Sequence, residues 1–371
     1  MSGFMIEGVV SPSDIADMAG VSRGAVSNWR KRADDFPLAV GGTEANPIFN
    51  REEVISWLIV RDYEVAQPNP GEPVWSVANL LRRDLDSFVL MNVILTLLAA
   101  RKISLRGDEN LWHKITQHPL DTRLMNEAVR IELGSRQNIP DVEASLPGGL
   151  HPEVMVSLLK KISRIDVADL SVAADYVVER VVRAQGKLGA DSGFVGSQVS
   201  LLLATLASAR IQGGTLYDPT CGFASTVTKT VELNGGPSRI IGQDINSSAL
   251  RIAMLRSFLH DVKIELVKGD VLVEDLLPEL KADVIIAEPP FGARFDAPGA
   301  LADIRFAFGT PPRASADLAW IQDAVAHLAE TGRAYVVTTM GCLSRKGSEE
   351  GIRAGLVRSG CVEAVVALPG K

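Results

Sequence analysis

The spacing of apolar residues changes about halfway along the chain. From Val74 to about Gly186 the apolar positions recur with helical periodicity, which predicts the helices Val74–Ala100, Leu111–Leu133, Pro152–Ile162 and Val167–Ala184. From Thr215 onward, short apolar runs alternate with helical patterns, which indicates parallel strands joined by crossover helices. We therefore expect an α/β fold preceded by an all-helical region.

Four short motifs follow one another between Leu216 and Gly292. They read LYDPTCGFAS (216–225), IGQDIN (241–246), VKGD (267–270) and ADVIIAEPPFG (282–292). Each stands where a predicted strand ends, and open α/β sheets bind ligands at the carboxyl ends of their strands. Their order, at the spacing of alternating strands and helices, predicts one ligand site.

The first three motifs have the chemistry of a nucleotide site. Cys221-Gly222 turns the chain into a helix that begins near Ser225, and such a turn presents backbone N–H groups and the positive end of a helix. Asp244 closes the second strand, where a carboxylate accepts hydrogen bonds from ribose hydroxyls. Asp270 ends the third strand and could contact an adenine ring edge. The alternative is that Asp244 and Asp270 only form strand-end turns.

These motifs resemble those of the S-adenosylmethionine-dependent adenine-N6 DNA methyltransferases, most closely the modification subunit of type I restriction systems. That family has a DP-x-CG turn, a GQ-[ED]-IN strand end and a terminal NPPF. The similarity includes residues 170–207, 308–337 and 344–371, so it covers roughly residues 165–371. It implies a Rossmann-like class I methyltransferase sheet with S-adenosylmethionine as cofactor. The cofactor-binding residues expected from it are Phe194, Asp218, Thr220, Cys221, Gly222, Asp244, Ile245 and Asp270.

The resemblance also assigns the EPPF segment to the target base. The exocyclic nitrogen of adenine is a poor nucleophile because its lone pair is delocalised into the ring. In the family, an Asn oxygen and the carbonyl of the next Pro accept its hydrogens, and an aromatic residue stacks on the base after it is flipped from the duplex. The matching residues are Glu288, Pro289, Pro290 and Phe291. The alternative for this segment is a rigid turn with a core aromatic residue.

The chain departs from the family pattern at several ligand-facing positions. Glu288 replaces Asn and is one methylene longer, and a displacement near 1 Å can cost roughly a hundredfold in rate. In the cofactor turn, Phe223 and Ala224 replace small residues. We expect Phe223 to crowd the methionine end of the cofactor and Ala224 to be tolerated if its φ is negative. Gly196-Ser197 replaces Thr-Pro, and Thr339-Met340 replaces Pro-Asp.

The N-terminal segment SPSDIADMAGVSRGAVSNWRKR (11–32) has the pattern of a helix-turn-helix. We expect Ser11-Pro12-Ser13 to start a first helix, Gly20 to make the turn and Val26 to pack inward, with Ser22 capping the second helix and Asn50 a third. The second helix presents the candidate DNA-binding residues Arg23, Ser27, Asn28, Arg30 and Lys31. PIFNREEVISWL (47–58) predicts a strand and a third helix, which resembles the winged domains of excisionase and MerR-type regulators. The alternative role for such a unit is protein contact.

Composition and charge limit how the chain could bind DNA and in which cellular compartment it is expected. A net charge of −7 excludes DNA binding over the whole surface, so phosphate contacts require local basic patches. Cys221, Cys342 and Cys361 have no metal-ligand spacing, which suits a reducing cytoplasm, and we expect no metal. Cys221 is expected to be a small packing residue. The apolar run Phe88–Ala100 is too short to span a bilayer, and nothing resembles a signal peptide, so no membrane partner is expected.

The predicted domains are a helix-turn-helix domain at 1–66, a Pro-rich linker at 67–73, a helical domain at 74–186 and a methyltransferase domain at 187–371. Strands at Ala334–Thr338 and Val362–Ala367 are expected to follow EPPF, without the family's last strand. The resemblance implies DNA as a partner, with separate specificity and restriction subunits, and leaves a homo-oligomer open.

Two hypotheses on function follow from these patterns. The first is an adenine-specific DNA methyltransferase of a restriction-modification-like system, with EPPF in place of NPPF. The second is a DNA-binding regulatory or assembly protein that keeps a catalytically impaired methyltransferase fold. A third hypothesis is methylation of an amide or amine in RNA or protein.

Overall fold

The computed structural model describes residues 8–63, 69–107, 109–119, 121–134, 152–184, 197–234, 236–297, 299 and 302–368. The chain divides into two compact units, Met1–Asn69 and Pro70–Lys371. Phe194 and Gly196, which the sequence analysis placed beside the cofactor, lie outside the described residues.

The first unit is a small helical domain with a three-stranded antiparallel sheet in the order β1-β3-β2. Its elements are β1 (Val9–Val10), α1 (Pro12–Met18), α2 (Arg23–Arg32), β2 (Ala39–Gly42), β3 (Pro47–Asn50) and α3 (Arg51–Ile59). The side chains of Ser11, Ser22 and Asn50 cap α1, α2 and α3 at the expected positions. Gly20, with φ +65°, lies in the turn between α1 and α2.

An aromatic core holds this unit together. Ile15, Val26 and Leu58 are fully buried, and Trp57 packs between the rings of Phe36 and Trp29. Trp57 is therefore a core residue, and Trp29 is half-buried against it.

The second unit begins with helices that share one core with the sheet behind them. These are α4 (Glu72–Ala78), α5 (Ser87–Arg106), α6 (Glu109–Gln117), α7 (Thr122–Gly134), α8 (Pro152–Ile162) and α9 (Leu170–Ala184). The predicted bounds of α8 are correct. The single helices predicted over Val74–Ala100 and Leu111–Leu133 are each two helices, because Asp86 and Asp121 cap new helix starts with their side chains.

The remaining elements form a doubly wound α/β sheet. They are α10 (Ser197–Ser208), β4 (Thr215–Asp218), α11 (Ser225–Asn234), β5 (Arg239–Asp244), α12 (Ser247–Leu259), β6 (Glu265–Lys268), β7 (Ala282–Ala287), α13 (Asp317–His327), β8 (Leu328–Val336) and α14 (Ser348–Arg358). The five parallel strands lie in the order β6-β5-β4-β7-β8. The order reverses beside β4, where a doubly wound sheet opens a crevice at its carboxyl edge.

Helix α5 is the central core helix of this unit. It packs against α7, α9 and α12, and its Lys102 is almost fully buried, with Nζ 3.1 Å from the Phe258 carbonyl oxygen and 3.0 Å from Asp261 Oδ2. Among the described residues, α5 alone is long and apolar enough to cross a membrane by length and composition. Its burial against neighbouring helices is typical of a core helix.

The strand expected at Val362–Ala367 is absent. Residues 361–368 have no regular secondary structure and are exposed, although Arg333 Nη1 of β8 lies 2.6 Å from Glu363 Oε1. This segment buries no side chains and pairs with no described strand, so its apolar run does not produce a strand. The strand expected at Ala334–Thr338 is part of the longer β8, which ends at Val336.

Candidate active site

The cofactor turn and the second motif meet at the carboxyl edge of β4 and β5. The backbone N–H of Gly222 donates to Asp244 Oδ2 at 2.9 Å, and that of Cys221 donates to the Gln243 carbonyl at 2.9 Å. Gly222 adopts φ +49°, a left-handed conformation that glycine accepts without a steric penalty. The other Asp244 oxygen accepts from the Asn246 N–H at 2.7 Å. Asp244 therefore fixes both the turn and the start of α12.

Gly242 allows this close approach. A Cβ atom at this position would lie 2.9 Å from Cys221 Sγ and 3.0 Å from Ile264 Cδ1, distances that require a neighbour to move. Cys221 is buried against β5, which agrees with the expectation of a packing residue. The glycine of IGQDIN is thus explained by packing of the turn on the strand.

A cavity of about 430 Å³ opens over this edge. Of the residues expected from the sequence, its lining includes Asp218, Thr220, Cys221, Gly222, Asp244, Ile245, Asp270, Glu288 and Pro290. Four of these are carboxylic acids, whereas Arg294 is the one basic residue among the described residues of the lining. The cavity therefore suits a ligand that carries positive charge and hydrogen-bond donors.

Burial raises the pKa of three acids in the cavity, Asp218, Asp244 and Glu288. It raises the pKa of Asp218 well above its usual range, and the neighbouring charges of Glu288 and Asp244 add to the effect. Burial also raises the pKa of Asp244 and of Glu288, against the opposing hydrogen bonds that each carboxylate accepts. A cationic ligand would reverse these shifts by stabilising the ionised forms.

The Glu288 side chain is held by α10 and α11, the helices that come before and after β4 in the chain. Its carboxylate accepts hydrogen bonds from the Ser200 hydroxyl of α10, at 3.3 Å, and from the Thr226 hydroxyl of α11. Its backbone N–H donates to Thr220 Oγ1 at 3.2 Å. The Glu288 side chain, one methylene longer than Asn, therefore contacts protein hydroxyls. The backbone bond to Thr220 joins the EPPF motif to the cofactor turn.

The other residues of the EPPF segment differ in exposure. Pro289 is buried and does not line the cavity, whereas Pro290 is exposed at its wall. The Phe291 ring is 58 % exposed. An exposed ring beside an acid-rich cavity does not fit the alternative of a core aromatic residue, and it is available to stack on a ligand.

Phe223 and Ala224, the two residues of the cofactor turn that depart from the family pattern, both fit the fold. Phe223 lines the cavity without filling it, because its ring packs edge-on against Phe88 of α5 with centroids 5.8 Å apart. Ala224 has φ +56°, so the negative φ that was the condition for tolerating it is not found. It is fully buried, and its carbonyl accepts from the Thr228 N–H at 3.0 Å as α11 begins, so packing outweighs the steric cost of this conformation.

Arg256 of α12 supports the same turn from behind. Its guanidinium donates to the Phe223 carbonyl and to Ser225 Oγ, both at 2.7 Å, and to Asp175 Oδ1 at 2.6 Å. Asp175 also lies 3.0 Å from His260 Nε2. The turn is therefore tied to helix α9 of the helical region through an ion pair in which Arg256 is buried and Asp175 is half-buried.

The candidate DNA-binding residues lie in the first unit. On α2, Arg23, Asn28, Arg30 and Lys31 are exposed, and Ser27 is half-buried. The Arg30 guanidinium lies 5.6 Å from the centre of the Phe49 ring. Their exposure leaves most of these groups available for phosphates or base edges.

Several cavity residues have no signal in the sequence. Phe88, Ser200, Thr226, Arg294 and Trp320 belong to four helices and one loop far apart in the chain. Thr226 and Arg294 could have been noticed, because Thr226 directly follows the motif LYDPTCGFAS and Arg294 comes three residues after Phe291. The others are brought to the cavity by packing between distant elements.

A profile of the N-6 DNA Methylase family matches residues 168–371. The chain belongs to this family. The match includes every motif that positions the cavity, so the recognition of an adenine-N6-type methylase from the four motifs is confirmed.

The curated relatives that match this chain include methylase subunits of type I restriction enzymes. The HindI methylase subunit of Haemophilus influenzae is 28% identical over 207 residues, which cover 53% of this chain and 46% of the relative. The MjaIX methylase subunit of Methanocaldococcus jannaschii is 27% identical over 212 residues, which cover 53% and 37%. The chain thus spans less than half the length of these relatives.

Solved structures confirm the fold. The methyltransferase subunit of a type I restriction-modification system from Streptococcus thermophilus superposes with a TM-score of 0.61 and 20% identity, over 79% of both chains. The type IIG restriction endonuclease BpuSI superposes with a TM-score of 0.51 over 83% of this chain. The expected α/β methyltransferase sheet with a preceding helical region is correct.

Proposed function

We propose that this chain is an S-adenosylmethionine-dependent DNA methyltransferase acting on the exocyclic amino group of adenine. One observation carries the proposal: Asp244, Asp270 and Glu288 line one cavity at the carboxyl ends of β5, β6 and β7. A cofactor site and a base site must adjoin for methyl transfer, because most of the rate comes from alignment of the reacting atoms.

The cavity fits the cofactor in size and charge. Its volume of about 430 Å³ lies within the range of roughly 300–1,000 Å³ that small-molecule sites occupy. S-adenosylmethionine supplies a methyl group activated by a cationic sulfonium. The acid-rich lining of Asp218, Asp244, Asp270 and Glu288 complements that charge.

Each acidic residue has a separate part in this proposal. Asp244 keeps free acceptor capacity beyond its two backbone hydrogen bonds and accepts from ribose hydroxyls. Asp270 contacts the edge of the cofactor's adenine. Glu288 and the Pro289 carbonyl accept the hydrogens of the target amino group, and Phe291 stacks on the flipped base. The raised pKa of Glu288 also makes its carboxylate a better proton acceptor than an amide.

The partners in this proposal follow from the relatives and from the first unit. The relatives are subunits of type I restriction enzymes, which supports assembly with separate specificity and restriction subunits on DNA. The basic face of α2, formed by Arg23, Arg30 and Lys31, would add phosphate contacts. A cytoplasmic location and a homo-oligomer stay predictions.

The alternative function is a DNA-binding regulatory or assembly protein without useful catalysis. It is favoured by the Glu288 carboxylate, because both of its oxygens already accept hydrogen bonds from Ser200 and Thr226. If those bonds persist when DNA binds, the target amino group loses an acceptor.

Labelled-methyl transfer to unmethylated duplex DNA separates the two functions. The proposal predicts label in N6-methyladenine after the DNA is digested to nucleosides and chromatographed. Glu288→Ala should abolish it, and Glu265→Ala, which removes an exposed carboxylate paired with Arg239, should not. Cofactor binding without any transfer to DNA would favour the alternative, and label in another base would reject adenine as the target.

A further inference from the structure

His260 joins two helices of the second unit through both of its ring nitrogens. It is the C-cap residue of α12, and its side chain is only 5 % exposed. Its Nε2 lies 3.0 Å from Asp175 Oδ1 of α9, and its Nδ1 lies 2.6 Å from Glu232 Oε1 of α11. Each ring nitrogen therefore faces a carboxylate oxygen.

This contact pattern favours the imidazolium form of His260. A neutral imidazole has one N–H and one lone pair, so one of its nitrogens would face a carboxylate with no proton between them, whereas an imidazolium donates to both. Burial alone would lower the pKa of His260, but the hydrogen bonds with Asp175 and Glu232 raise it above its ordinary value. The negative C-terminal end of α12 also stabilises a cation at this position.

The same cluster of residues holds the cofactor turn. Arg256 of α12 shares Asp175 Oδ1 with His260, because its Nη2 lies 2.6 Å from that oxygen. Its Nη1 donates to a carbonyl of the turn and to Ser225 Oγ, both at 2.7 Å. Ser225 begins α11, and Glu232 lies in the last turn of that helix. Helix α11 is therefore attached at its start through Arg256 and near its end through His260.

The charges of this cluster balance when His260 carries a proton. Among the described residues, the charged groups that face its ring come from the helices packed around it and are Asp175, Glu232 and Arg256. The nearby Lys102 of α5 pairs with Asp261 instead. Two carboxylates and one guanidinium leave one negative charge, which an imidazolium neutralises and a neutral imidazole does not.

A divalent metal ion is the other cation that these residue types could hold. The ligand atoms of Asp175, Glu232 and His260 lie within 4.8 Å of one another. The two carboxylates lie at different ring nitrogens, however, and the Asp175 oxygen already contacts the Arg256 guanidinium. Protonation of His260 satisfies both carboxylates without moving either side chain, so the geometry favours the proton.

We propose that His260 is a positioning residue of the cofactor site, whose imidazolium holds α11 and the turn before it in the form that binds the cofactor. The inference rests on the proposed function, because it takes that turn to bind S-adenosylmethionine. His260 does not line the cavity and acts through Asp175 and Arg256. Loss of its proton removes one of the two hydrogen bonds and leaves an unbalanced charge, so cofactor affinity declines as pH rises through the pKa of folded His260.

Calorimetric titration with S-adenosylhomocysteine at a series of pH values tests the proposal without turnover. From neutral to alkaline pH we expect the affinity of the unmodified chain to decline about fivefold or more, which is the lower end of the usual coupling between two sites. The acids of the cavity act in the opposite direction, because they accept hydrogen bonds from the ligand best when ionised. They therefore do not produce an alkaline decline.

His260→Gln removes the titrating group and keeps a side-chain donor. Its affinity at neutral pH should be about fivefold lower than that of the wild type and should not decline further at alkaline pH. His260→Lys keeps a cation with a higher ordinary pKa, so it should restore the neutral affinity and move the decline to higher pH.

The matched control is His327→Gln. The His327 side chain is also buried at the end of a helix, with Nε2 3.2 Å from Asp275 Oδ1. It directly precedes β8, at the opposite end of the sheet from the cofactor turn. Its replacement should lower stability and leave the alkaline decline in place, which separates the effect on the turn from a general loss of stability.

Nuclear magnetic resonance of the unmodified chain reports the protonation of His260 directly. In protein with ¹⁵N-labelled histidine, the ring signal lost in His260→Gln should show two protonated nitrogens at neutral pH. It should lose one proton over the pH range in which cofactor affinity declines. This readout does not require that any variant folds.

Three results would overturn the inference. The same pH profile in wild type and His260→Gln, or a neutral His260 ring at neutral pH, overturns it alone. Zinc ion that binds the wild type and not His260→Gln overturns it by making the cluster a metal site. A wild-type chain that does not bind S-adenosylhomocysteine at any pH overturns the proposed function and the inference with it.

Discussion

The Asp244 carboxylate accepts a hydrogen bond of 2.9 Å from the backbone N–H of Gly222. This bond joins the end of β5 to the turn after β4, so the residue expected to bind the ribose also shapes the turn. Asp244 is half-buried and its pKa is raised, so the bond holds a carboxylate at a place where its charge is disfavoured until a ligand binds.

Asp244→Asn should weaken both the cofactor site and the turn. An amide offers one acceptor oxygen in place of two, so either the Gly222 or the Asn246 N–H loses its partner. Hydrogen bonds to a charged group contribute about 1.5–3 kcal/mol, so we expect S-adenosylmethionine affinity to fall at least tenfold in calorimetry.

Asp283→Asn is the matched control for this change. Asp283 Oδ2 also accepts from a backbone N–H, that of Thr215 at 2.7 Å, but near the opposite end of the sheet. Its replacement should leave cofactor affinity unchanged. If both variants weaken binding equally, Asp244 acts only through the stability of the sheet.

Glu288→Asn should retain or increase methyl transfer, because it restores the acceptor geometry of the family. The shorter amide gives up the contacts with Ser200 and Thr226, so we expect a loss of about 1 kcal/mol in the free energy of unfolding. Rates of methyl transfer and denaturant unfolding measure the two effects. Complete loss of activity in a folded variant would mean that the carboxylate itself takes part in the reaction.

Asp218→Asn should stabilise the ligand-free protein at neutral pH. The folded state raises the pKa of Asp218, so between its unfolded and folded pKa values the native state binds more protons than the unfolded state. Stability therefore falls as pH rises through that window, and removing the titrating group removes the loss. The Thr220 N–H keeps an acceptor in the amide oxygen.

The measurement for Asp218→Asn is thermal unfolding of both chains across the acidic to neutral range. The melting temperatures should converge at low pH, where Asp218 is protonated, and separate as pH rises. A variant that is less stable than the wild type at neutral pH contradicts the pKa direction.

Asp175→Asn should loosen the cofactor turn from behind. Burial alone would raise the pKa of Asp175, but the Arg256 charge and the hydrogen bond from His260 hold it below its usual range. Removing the carboxylate leaves Arg256 buried without its ion pair, which costs about 3–5 kcal/mol of stability. We also expect weaker cofactor binding, because Arg256 holds the Phe223 carbonyl.

Asp261→Asn is the control for the Asp175 variant. Asp261 lies just beyond the end of α12, and its carboxylate pairs with the buried Lys102. Lys102 keeps the Phe258 carbonyl as an acceptor in this variant. This variant should lose stability without a comparable loss of cofactor affinity. Equal losses of affinity would show that the Asp175 network has no specific effect on the turn.

The sequence predicted the strand ends and helix caps because their determinants are local. Ser225 begins α11, and Ser11, Ser22 and Asn50 cap helices, as side-chain and turn chemistry require. The breaks before α5 and α7 were missed because the apolar period continues through Asp86 and Asp121. The prediction of a strand at Val362–Ala367 was wrong for a related reason, since an apolar run alone does not supply a pairing partner.

The candidate site was only partly predictable from the sequence. Asp244 and Glu288 were found because each follows a strand within a recognisable motif. The partners of Glu288, Ser200 and Thr226, come from helices 88 and 62 residues earlier, so packing alone decides their contact. The positive φ of Ala224 was also hidden, because alanine rarely adopts it.

Calorimetric titration of the intact chain with S-adenosylmethionine tests the central claim most directly. A ligand that binds only the folded state also raises its stability, by about 2.7 kcal/mol at a hundredfold excess over the dissociation constant. The account predicts saturable binding at one site, a matching rise in melting temperature, and weaker binding as falling pH protonates Asp218 and Asp244. Absence of heat and of any thermal shift at saturating cofactor would contradict it.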